Sequence, residues 1–198
     1  MWDTIKFYFS KIVIKIFGDV QFFRYPVFCL LWGDTHYKVK GNESREILNK
    51  LKKGDIILAR YDRYVSSWFI PGFYTHVALY IGDQRVVHAV TAGVKEEDIL
   101  SLLRCDYICV LRPRGISDEE IEKSVKRAKS FIGLEYDFIF SNETDDRLYC
   151  SELVFRAYDQ YLINLGHKEV TSPDEYREQK MLEHVHESRE WRSRIGND

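Results

Sequence analysis

Two β-rich runs joined by a short polar turn constrain the fold of this 198-residue chain more than any other feature. Residues 76–81 (HVALYI) and 85–90 (RVVHAV) flank Gly82-Asp83-Gln84, a glycine-containing loop typical of a β-hairpin. A three-residue loop pairs position 81 with 85 and places position 78 opposite 88. His76 and His88 then share one face of the sheet as diagonal neighbours, whereas an odd register would separate them. We therefore predict an antiparallel sheet that carries two neighbouring histidines.

The remaining segments predict an α+β domain. Ser117 and Glu120 form a capping box ahead of a helix that Gly133 ends. Short strands are expected at 56–59 and 107–111, and further helices at 41–53, 95–103 and 149–162. The charged tail from Thr171 onward is typical of a solvated surface layer. With 45% hydrophobic residues and no repeats, the chain can bury one core. We assign residues 41–198 to this domain and residues 1–40 to an N-terminal extension.

The N-terminal extension is strongly apolar and open to two interpretations. At helical spacing, one face of it collects Trp2, Ile5, Phe9, Ile12 and Ile16. This amphipathic helix either packs on the domain core or anchors residues 1–32 in the surface of a membrane. Interrupting charges exclude a membrane span, and no signal-peptide pattern is present. The sequence therefore predicts a cytoplasmic protein, with peripheral membrane association as the alternative.

Composition and spacing exclude several classes of partner and cofactor. The formal net charge is -2, so a protein that mainly binds nucleic-acid phosphates is not expected. Four scattered cysteines do not form a disulfide scaffold, so free thiols are predicted. His184 and His186 form a His-x-His pair, but zinc needs three or four converging ligands. We predict no metal site, no cofactor, a peptide, lipid or small-molecule substrate, and no particular oligomeric state.

Cys150 is the candidate nucleophile. It begins a predicted helix, where the positive helix end lowers the pKa of a thiol. A cysteine, a histidine base and a group that orients the histidine are the parts of thiol acyl-transfer chemistry. A buried, inert thiol is the alternative that the residues alone leave open. Trp68 and Tyr74 belong to an aromatic loop just before His76, which serves either as a substrate wall or as ordinary core.

Several motifs in order resemble the YiiX-like permuted papain-fold amidases, relatives of the NlpC-type cysteine peptidases and of lecithin–retinol acyltransferase. The resemblance covers roughly residues 41–162. It is carried by GDIILARYDRYVSSWFIPGFYTHVALYIGD, VVHAVTAGVKEEDILSLL, VLRPRG, AKSFIGLEYDF and LYCSELVFRAY. This likeness implies a permuted papain-like fold, in which an antiparallel sheet packs against helices and the histidine-bearing hairpin precedes the cysteine-bearing helix.

The resemblance also implies a role for each candidate residue. His76 takes the position of the general base, Cys150 that of the nucleophile and His88 that of the orienting residue. Tyr136 matches a tyrosine that lines the oxyanion site. The implied function is a cysteine hydrolase that cleaves a peptide or cell-wall-like amide through an acyl-enzyme. Because acyltransferase-like relatives also carry histidine at the third position, a thiol acyltransferase or lipase at a membrane is an alternative. A catalytically silent binding module is another.

Overall fold

The structure is a computed structural model that describes residues 2–17, 20–23, 29–32, 37–62, 64, 70–140, 145–158 and 172–188, and the side chains of 4–13 within the first three ranges. The helices in these ranges are α1 Trp2–Phe17, α2 Gly41–Lys50, α3 Ile99–Leu102, α4 Asp118–Ser130, α5 Cys150–Tyr158 and α6 Pro173–Arg177. The strands are β1 Val20–Phe23, β2 Cys29–Trp32, β3 Ile56–Arg60, β4 His76–Gly82, β5 Arg85–Val90, β6 Gly93–Asp98, β7 Tyr107–Pro113, β8 Glu135–Tyr136, β9 Arg147–Leu148 and β10 Leu182–Glu187.

A six-stranded antiparallel sheet forms the centre of the domain, in the strand order β10-β7-β3-β4-β5-β6. Strands β1 and β2 form a separate antiparallel pair, and β8 and β9 a short parallel one. Buried strands such as β3 (IILAR) read as continuous apolar runs because helices cover both faces of the sheet. The predicted α+β class, with an antiparallel sheet packed against helices, is confirmed.

Alternate strand residues line two separate cores. One core, on what we call the α5 face, joins Leu58, Val77 and Leu79 to Leu153 of α5 and Val125 of α4. The other, on the α2 face, joins strand residues to helices α2 and α3; its members include Ile47, Ile57, Ala59, Ala78, Tyr80, Val86, Ile99 and Leu102. His76 lies opposite Ala59 in the register of β3 and β4, so its side chain belongs to the α2 face.

The histidine hairpin has a tighter turn than the sequence predicts. Arg85 pairs with Gly82, so the loop contains only Asp83 and Gln84, with φ angles of 51° and 59°. Such left-handed angles at both positions are typical of the two-residue hairpin turn that matches strand twist. An irregularity between Tyr80 and Gly82 absorbs the extra residue. The predicted three-residue loop is therefore wrong, but Leu79 still lies opposite Val87, as the prediction requires.

Two further segments differ from their predictions. Residues 95–98, predicted as helix, belong to strand β6, and only Ile99–Leu102 are helical behind the Asp98 N-cap. The C-terminal tail, predicted as a solvated layer, supplies α6 and the edge strand β10, and Tyr176 in α6 is buried. This segment becomes a strand because β10 pairs with the distant strand β7, and the polarity of the local sequence does not indicate such pairing. The Ser117–Glu120 capping box is confirmed; residues 159–162 of the predicted last helix lie outside the described ranges.

Helix α1 contacts the domain through a different face from the predicted one. Phe7 is buried, edge-on to Phe138 at 5.9 Å between ring centroids and beneath the guanidinium of Arg147. The predicted apolar face is instead exposed, at 57% for Ile5, 68% for Phe9 and 56% for Ile12. The interpretation of this face as core packing is therefore wrong for these three residues. Within the described ranges, no helix combines the length and hydrophobicity that crossing a bilayer requires.

Candidate active site

Three consecutive strands carry a hydrogen-bonded chain of two histidines and a glutamate. His76 begins β4, His88 lies in β5 and Glu97 in β6. The Nε2 atom of His76 is 3.1 Å from Nδ1 of His88, and Nε2 of His88 is 3.0 Å from Oε2 of Glu97. Lys95 forms a 2.9 Å ion pair with the same carboxylate oxygen. The predicted juxtaposition of the two histidines is present, and a carboxylate extends it.

Hydrogen-bond pairing fixes which ring nitrogens carry protons. The carboxylate of Glu97 only accepts, so Nε2 of His88 donates to it, and Nδ1 of a neutral His88 must accept. That acceptor requires His76 to donate from Nε2. The Nδ1 atom of His76 is therefore unprotonated. Its lone pair is the basic site at the His76 end of the hydrogen-bonded series Glu97–His88–His76. The hydrogen bond that one ring nitrogen makes fixes the tautomer, and so leaves the other nitrogen free to react.

Both imidazoles are neutral at physiological pH. Burial, and then the neighbouring His88, lowers the pKa of His76 to about 3, although Glu97 opposes this shift. Burial, and then the charge of Lys95, lowers the pKa of His88 to about 4. His88 is only 4% exposed. A neutral imidazole can accept a proton, although a pKa of about 3 makes His76 a weak base in this resting state.

Cys150 is the first residue of α5 and is buried on the α5 face. Its Sγ is faced by the backbone N–H of Val77 and lies 4.0 Å from Oγ of Ser151. Burial raises the pKa of the thiol, and the N–H groups of Val77, Ser151 and Cys150 itself only partly offset this effect. The predicted lowering of this pKa is therefore wrong, because loss of hydration outweighs the helix end.

The thiol and the imidazole chain meet at the start of β4 from opposite sides. Val77 faces the thiol, while His76, one residue earlier, directs its ring to the α2 face, where it contacts Tyr61 and His88. Among the described residues, neither histidine is within hydrogen-bonding distance of Sγ of Cys150. Catalytic hydrogen bonds often form only when substrate is bound.

Tyr136 lies close to the thiol. Parallel pairing of β8 with β9 places Tyr136 opposite Leu148, two residues before Cys150. Burial, and then the proximity of Cys150, raises the pKa of Tyr136 well above its ordinary value. The hydroxyl therefore keeps its proton and can donate a hydrogen bond.

Comparison with known proteins identifies the family of this chain. The family model of permuted papain-like amidase enzymes, the YaeF/YiiX C92 family, matches residues 50–193. The chain belongs to this family. The family is described as one of permuted papain-like amidases, that is, of papain-like cysteine amidases or peptidases.

Two similar proteins extend the comparison. YiiX of Escherichia coli (strain K12) is 46% identical over 48 residues, which span 24% of this chain and 23% of YiiX. The match therefore covers about a quarter of that relative's length. The crystal structure of metalloprotein yiiX from Escherichia coli O157:H7 has a TM-score of 0.55 and 23% identity, covering 70% of this chain and 98% of that one. This likeness supports the permuted papain-like fold.

The structure describes only part of the aromatic loop of this C92 protein, which includes Tyr74 but not Trp68. Tyr74 is fully buried; its backbone N–H donates to Oδ1 of Asp174 at 2.9 Å, and its hydroxyl lies 3.4 Å from Glu187. Of the two interpretations of this loop, the core position is the one observed for Tyr74. Trp68, the other residue predicted to contact substrate, lies outside the described residues.

Glu97 is the residue of the site that the sequence analysis misses. Residues 95–103 are predicted as one helix, and a helix would turn Glu97 away from the hairpin. The available signal is Gly93, whose φ angle of 108° reverses the chain into a third strand. With that turn placed correctly, alternation along β6 brings Glu97 to the face of His88.

Proposed function

We propose that this C92-family protein hydrolyses an amide bond through an acyl-enzyme on Cys150, with His76 as general base. The observation that carries the proposal is the chain Glu97–His88–His76, which ends in an unprotonated Nδ1 one residue away from the N–H that faces the thiol. The family relationship supports amide hydrolysis in general. The roles of the individual residues are our inference from geometry and charge.

The raised pKa of Cys150 sets the order of proton transfer. Because the resting thiol is protonated, Nδ1 of His76 takes its proton as Sγ bonds to the carbonyl carbon. The positive charge formed on His76 is shared through His88 with the carboxylate of Glu97. His76 then gives the proton to the leaving nitrogen as the C–N bond breaks. Water, deprotonated by His76, attacks the thioester and releases the acid and the free thiol.

The oxyanion of each tetrahedral intermediate needs donors that are already in place. We assign the backbone N–H of Cys150 and the hydroxyl of Tyr136 to this role. The hydroxyl remains a donor because its pKa is raised. Removal of one oxyanion donor commonly costs about 2.7–4 kcal/mol of transition-state stabilisation.

Trapping of the acyl-enzyme tests this proposal. The protein is incubated with an activated ester or anilide, quenched in acid, and its peptides are mapped by mass spectrometry. We expect the acyl group on Cys150 in the wild type, and strongly slowed acylation in His76→Ala. Cys105→Ser is the control, because Cys105 is also a buried free thiol but belongs to the core of the α2 face.

Two results would contradict the acyl-enzyme. One is turnover that survives Cys150→Ala. The other is acylation of Cys150 at the same rate with and without His76, which would identify a retained fold without its chemistry. Alkylation by iodoacetamide at several pH values checks the raised pKa of Cys150. The resting thiol should react only above the ordinary thiol pKa of about 8.5.

A second candidate, acyl transfer at a membrane surface, is favoured by one observation. Ile5, Phe9 and Ile12 of α1, together with Tyr8, are all more than half exposed, and Lys6 is also exposed beside them. An apolar helix face edged by lysine is typical of helices that lie in the plane of an anionic bilayer. We propose that this face inserts into such a surface and brings the active site to a lipid ester or amide.

Vesicle flotation separates this candidate from hydrolysis in solution. Full-length protein should float with phosphatidylserine-containing vesicles, and the double variant Phe9→Glu, Ile12→Glu should not. Thr4→Glu, which adds charge at an exposed position without removing apolar surface, is the control. Failure of the wild type to float would exclude the membrane candidate and leave the acyl-enzyme proposal intact.

A further inference from the structure

A second cluster of metal-ligating atoms lies at the other end of the sheet, between β7 and β10. Sγ of Cys109 is 3.9 Å from Nδ1 of His184, and that nitrogen is 3.8 Å from Oε2 of Glu187. All three atoms lie within 4.8 Å of one another. Cys109 and Glu187 are buried, whereas the side chain of His184 is 37% exposed. The cluster is therefore enclosed by protein on one side and open to solvent on the other.

The backbone brings these three residues together from distant parts of the chain. Glu187 lies directly opposite Cys109 in the register of β10 and β7. The register shifts between His184 and His186, so the two histidines of the His-x-His pair separate. His184 contacts Cys109, while His186 bonds to Glu43 of α2 at 3.0 Å. Only one histidine of the pair therefore joins the cluster.

Neighbouring groups hold the ligand atoms in the form that a metal requires. Nε2 of His184 donates to the carbonyl of Arg177 at 3.0 Å, so in the neutral imidazole Nδ1 carries the lone pair, and this atom faces Cys109 and Glu187. Oε1 of Glu187 accepts from Nε of Arg177 at 2.7 Å and lies 3.4 Å from the hydroxyl of Tyr74. Its other oxygen, Oε2, faces the cluster. Outer partners of this kind orient ligands in metal sites.

We propose that Cys109, His184 and Glu187 bind a zinc-class transition-metal ion. A set of one sulfur, one nitrogen and one oxygen suits zinc, whereas magnesium and calcium prefer oxygen alone. Zinc–ligand lengths of about 2.0–2.3 Å in a tetrahedron place ligand atoms about 3.3–3.6 Å apart. The separations of 3.8 and 3.9 Å need only a small contraction to reach that geometry.

Charge balance supports the same ion. A thiolate and a carboxylate neutralise a divalent cation, and Arg177 stays on the oxygen of Glu187 that points away from the cluster. Three protein ligands leave a fourth position, which the exposed side of His184 opens to water. The ion would tie β10 to β7 and, through Glu187 and Tyr74, to the segment that leads into His76.

Metal binding is measured directly on the full chain. The protein is stripped with a chelator, dialysed, and titrated with zinc against a chromophoric competitor; cobalt is then added in place of zinc. We expect a stoichiometry of about one, and a thiolate-to-cobalt charge-transfer band in the near ultraviolet. His184→Ala should weaken zinc binding by about 100-fold or more, given that outer partners alone contribute about 10–100-fold. Glu187→Gln should also weaken it.

Matched controls separate the site from other thiols and imidazoles. His186→Ala and Cys105→Ser alter a histidine on the same strand and a buried cysteine elsewhere, and both should bind zinc like the wild type. Cobalt bound without a thiolate band, or a zinc affinity unchanged in His184→Ala, would overturn the proposal. Because His184 is partly exposed, its alanine variant should fold, and the cobalt spectrum of the wild type needs no variant at all. Neither measurement depends on amidase activity.

Discussion

Two histidine-centred clusters lie on the same sheet, and they differ in how their polar atoms are matched. In the first, donors and acceptors alternate along a line from His76 through His88 to Glu97, at the hydrogen-bonding distances of 3.1 and 3.0 Å. In the second, Nδ1 of His184, which accepts when Nε2 carries the proton of a neutral imidazole, faces Oε2 of Glu187 at 3.8 Å. The first pattern can move a proton along its length. The second brings acceptors together around a space, which a cation would stabilise.

The clusters also differ in how the chain assembles them. The bonds of the first join residues 12 and 9 positions apart, within consecutive hairpins. The second joins Cys109 to a residue 75 positions later, across the pairing of β7 with an edge strand. The two clusters share no residue, so substitution within one should have little effect on the other.

His76→Ala should have the largest effect on activity. Removal of a general base typically lowers kcat by about 10²- to 10⁴-fold. Steady-state kinetics on an amide substrate should show this loss, while the zinc affinity of the variant should equal that of the wild type. His186→Ala is the control, because it removes an imidazole from the opposite end of the sheet. A fall in zinc affinity in His76→Ala would show that the clusters are coupled.

Stability at acid pH should distinguish the first cluster next. The folded pKa of His88, about 4, is below its unfolded value of about 6.5. The neutral histidine therefore contributes stability above pH 6.5 that is lost as the pH falls through 4. For this buried group the loss amounts to about 3 kcal/mol of unfolding free energy. Urea unfolding from pH 7.5 to 4 should show it.

His88→Gln provides the comparison for this titration, since it removes the titrating imidazole and leaves all the carboxylates in place. The difference in unfolding free energy between wild type and variant should shrink as the pH falls. A difference that stays constant from pH 7.5 to 4 would mean that His88 is not a buried neutral imidazole.

Glu97→Gln should have a smaller effect on kcat, of about 10- to 100-fold, because Glu97 is linked to His76 by hydrogen bonds only through His88. A glutamine amide can donate as well as accept, so it permits the tautomer of His88 that removes the basic lone pair from His76. Glu97→Asp should recover part of the loss, and the acid limb of the pH–rate profile should move, because Glu97 raises the pKa of His76. Glu96→Gln, one residue earlier and paired with Arg85, is the control. Equal losses in both variants would reduce Glu97 to a structural role.

Much of the fold can be predicted from the sequence where local signals agree. The Ser117 capping box, the apolar run of β3 and the histidine hairpin each combine a pattern with a turn or a cap, and all three are present. Residues 95–98 fail because a polar, acidic segment on an edge strand has no alternating apolar pattern. Strand β10 fails for a related reason, since it becomes a strand only by pairing with β7.

The candidate site divides in the same way. The contact of His76 with His88 follows from a hairpin register, which the sequence predicts. The state of Cys150 does not, because burial raises its pKa and burial depends on how α5 packs against β4. The participation of Glu97 depends on a turn at Gly93, and the separation of His184 from His186 depends on a bulge. Gly93 is only a weak local signal for the turn, and nothing in the local sequence indicates the bulge.

Tyr74→Phe should have the smallest effect, and it tests a contact between the second cluster and the segment that leads into His76. The hydroxyl of Tyr74 lies 3.4 Å from Glu187, while its ring is fully buried two residues before His76. Loss of this long hydrogen bond should lower the unfolding free energy by about 0.5–1.5 kcal/mol. Zinc should reduce this difference, because a bound ion would hold Glu187 in place of the hydroxyl. A large rise in KM would instead show that Tyr74 contacts substrate. A stability loss that zinc leaves unchanged would show that Tyr74 does not support the metal cluster.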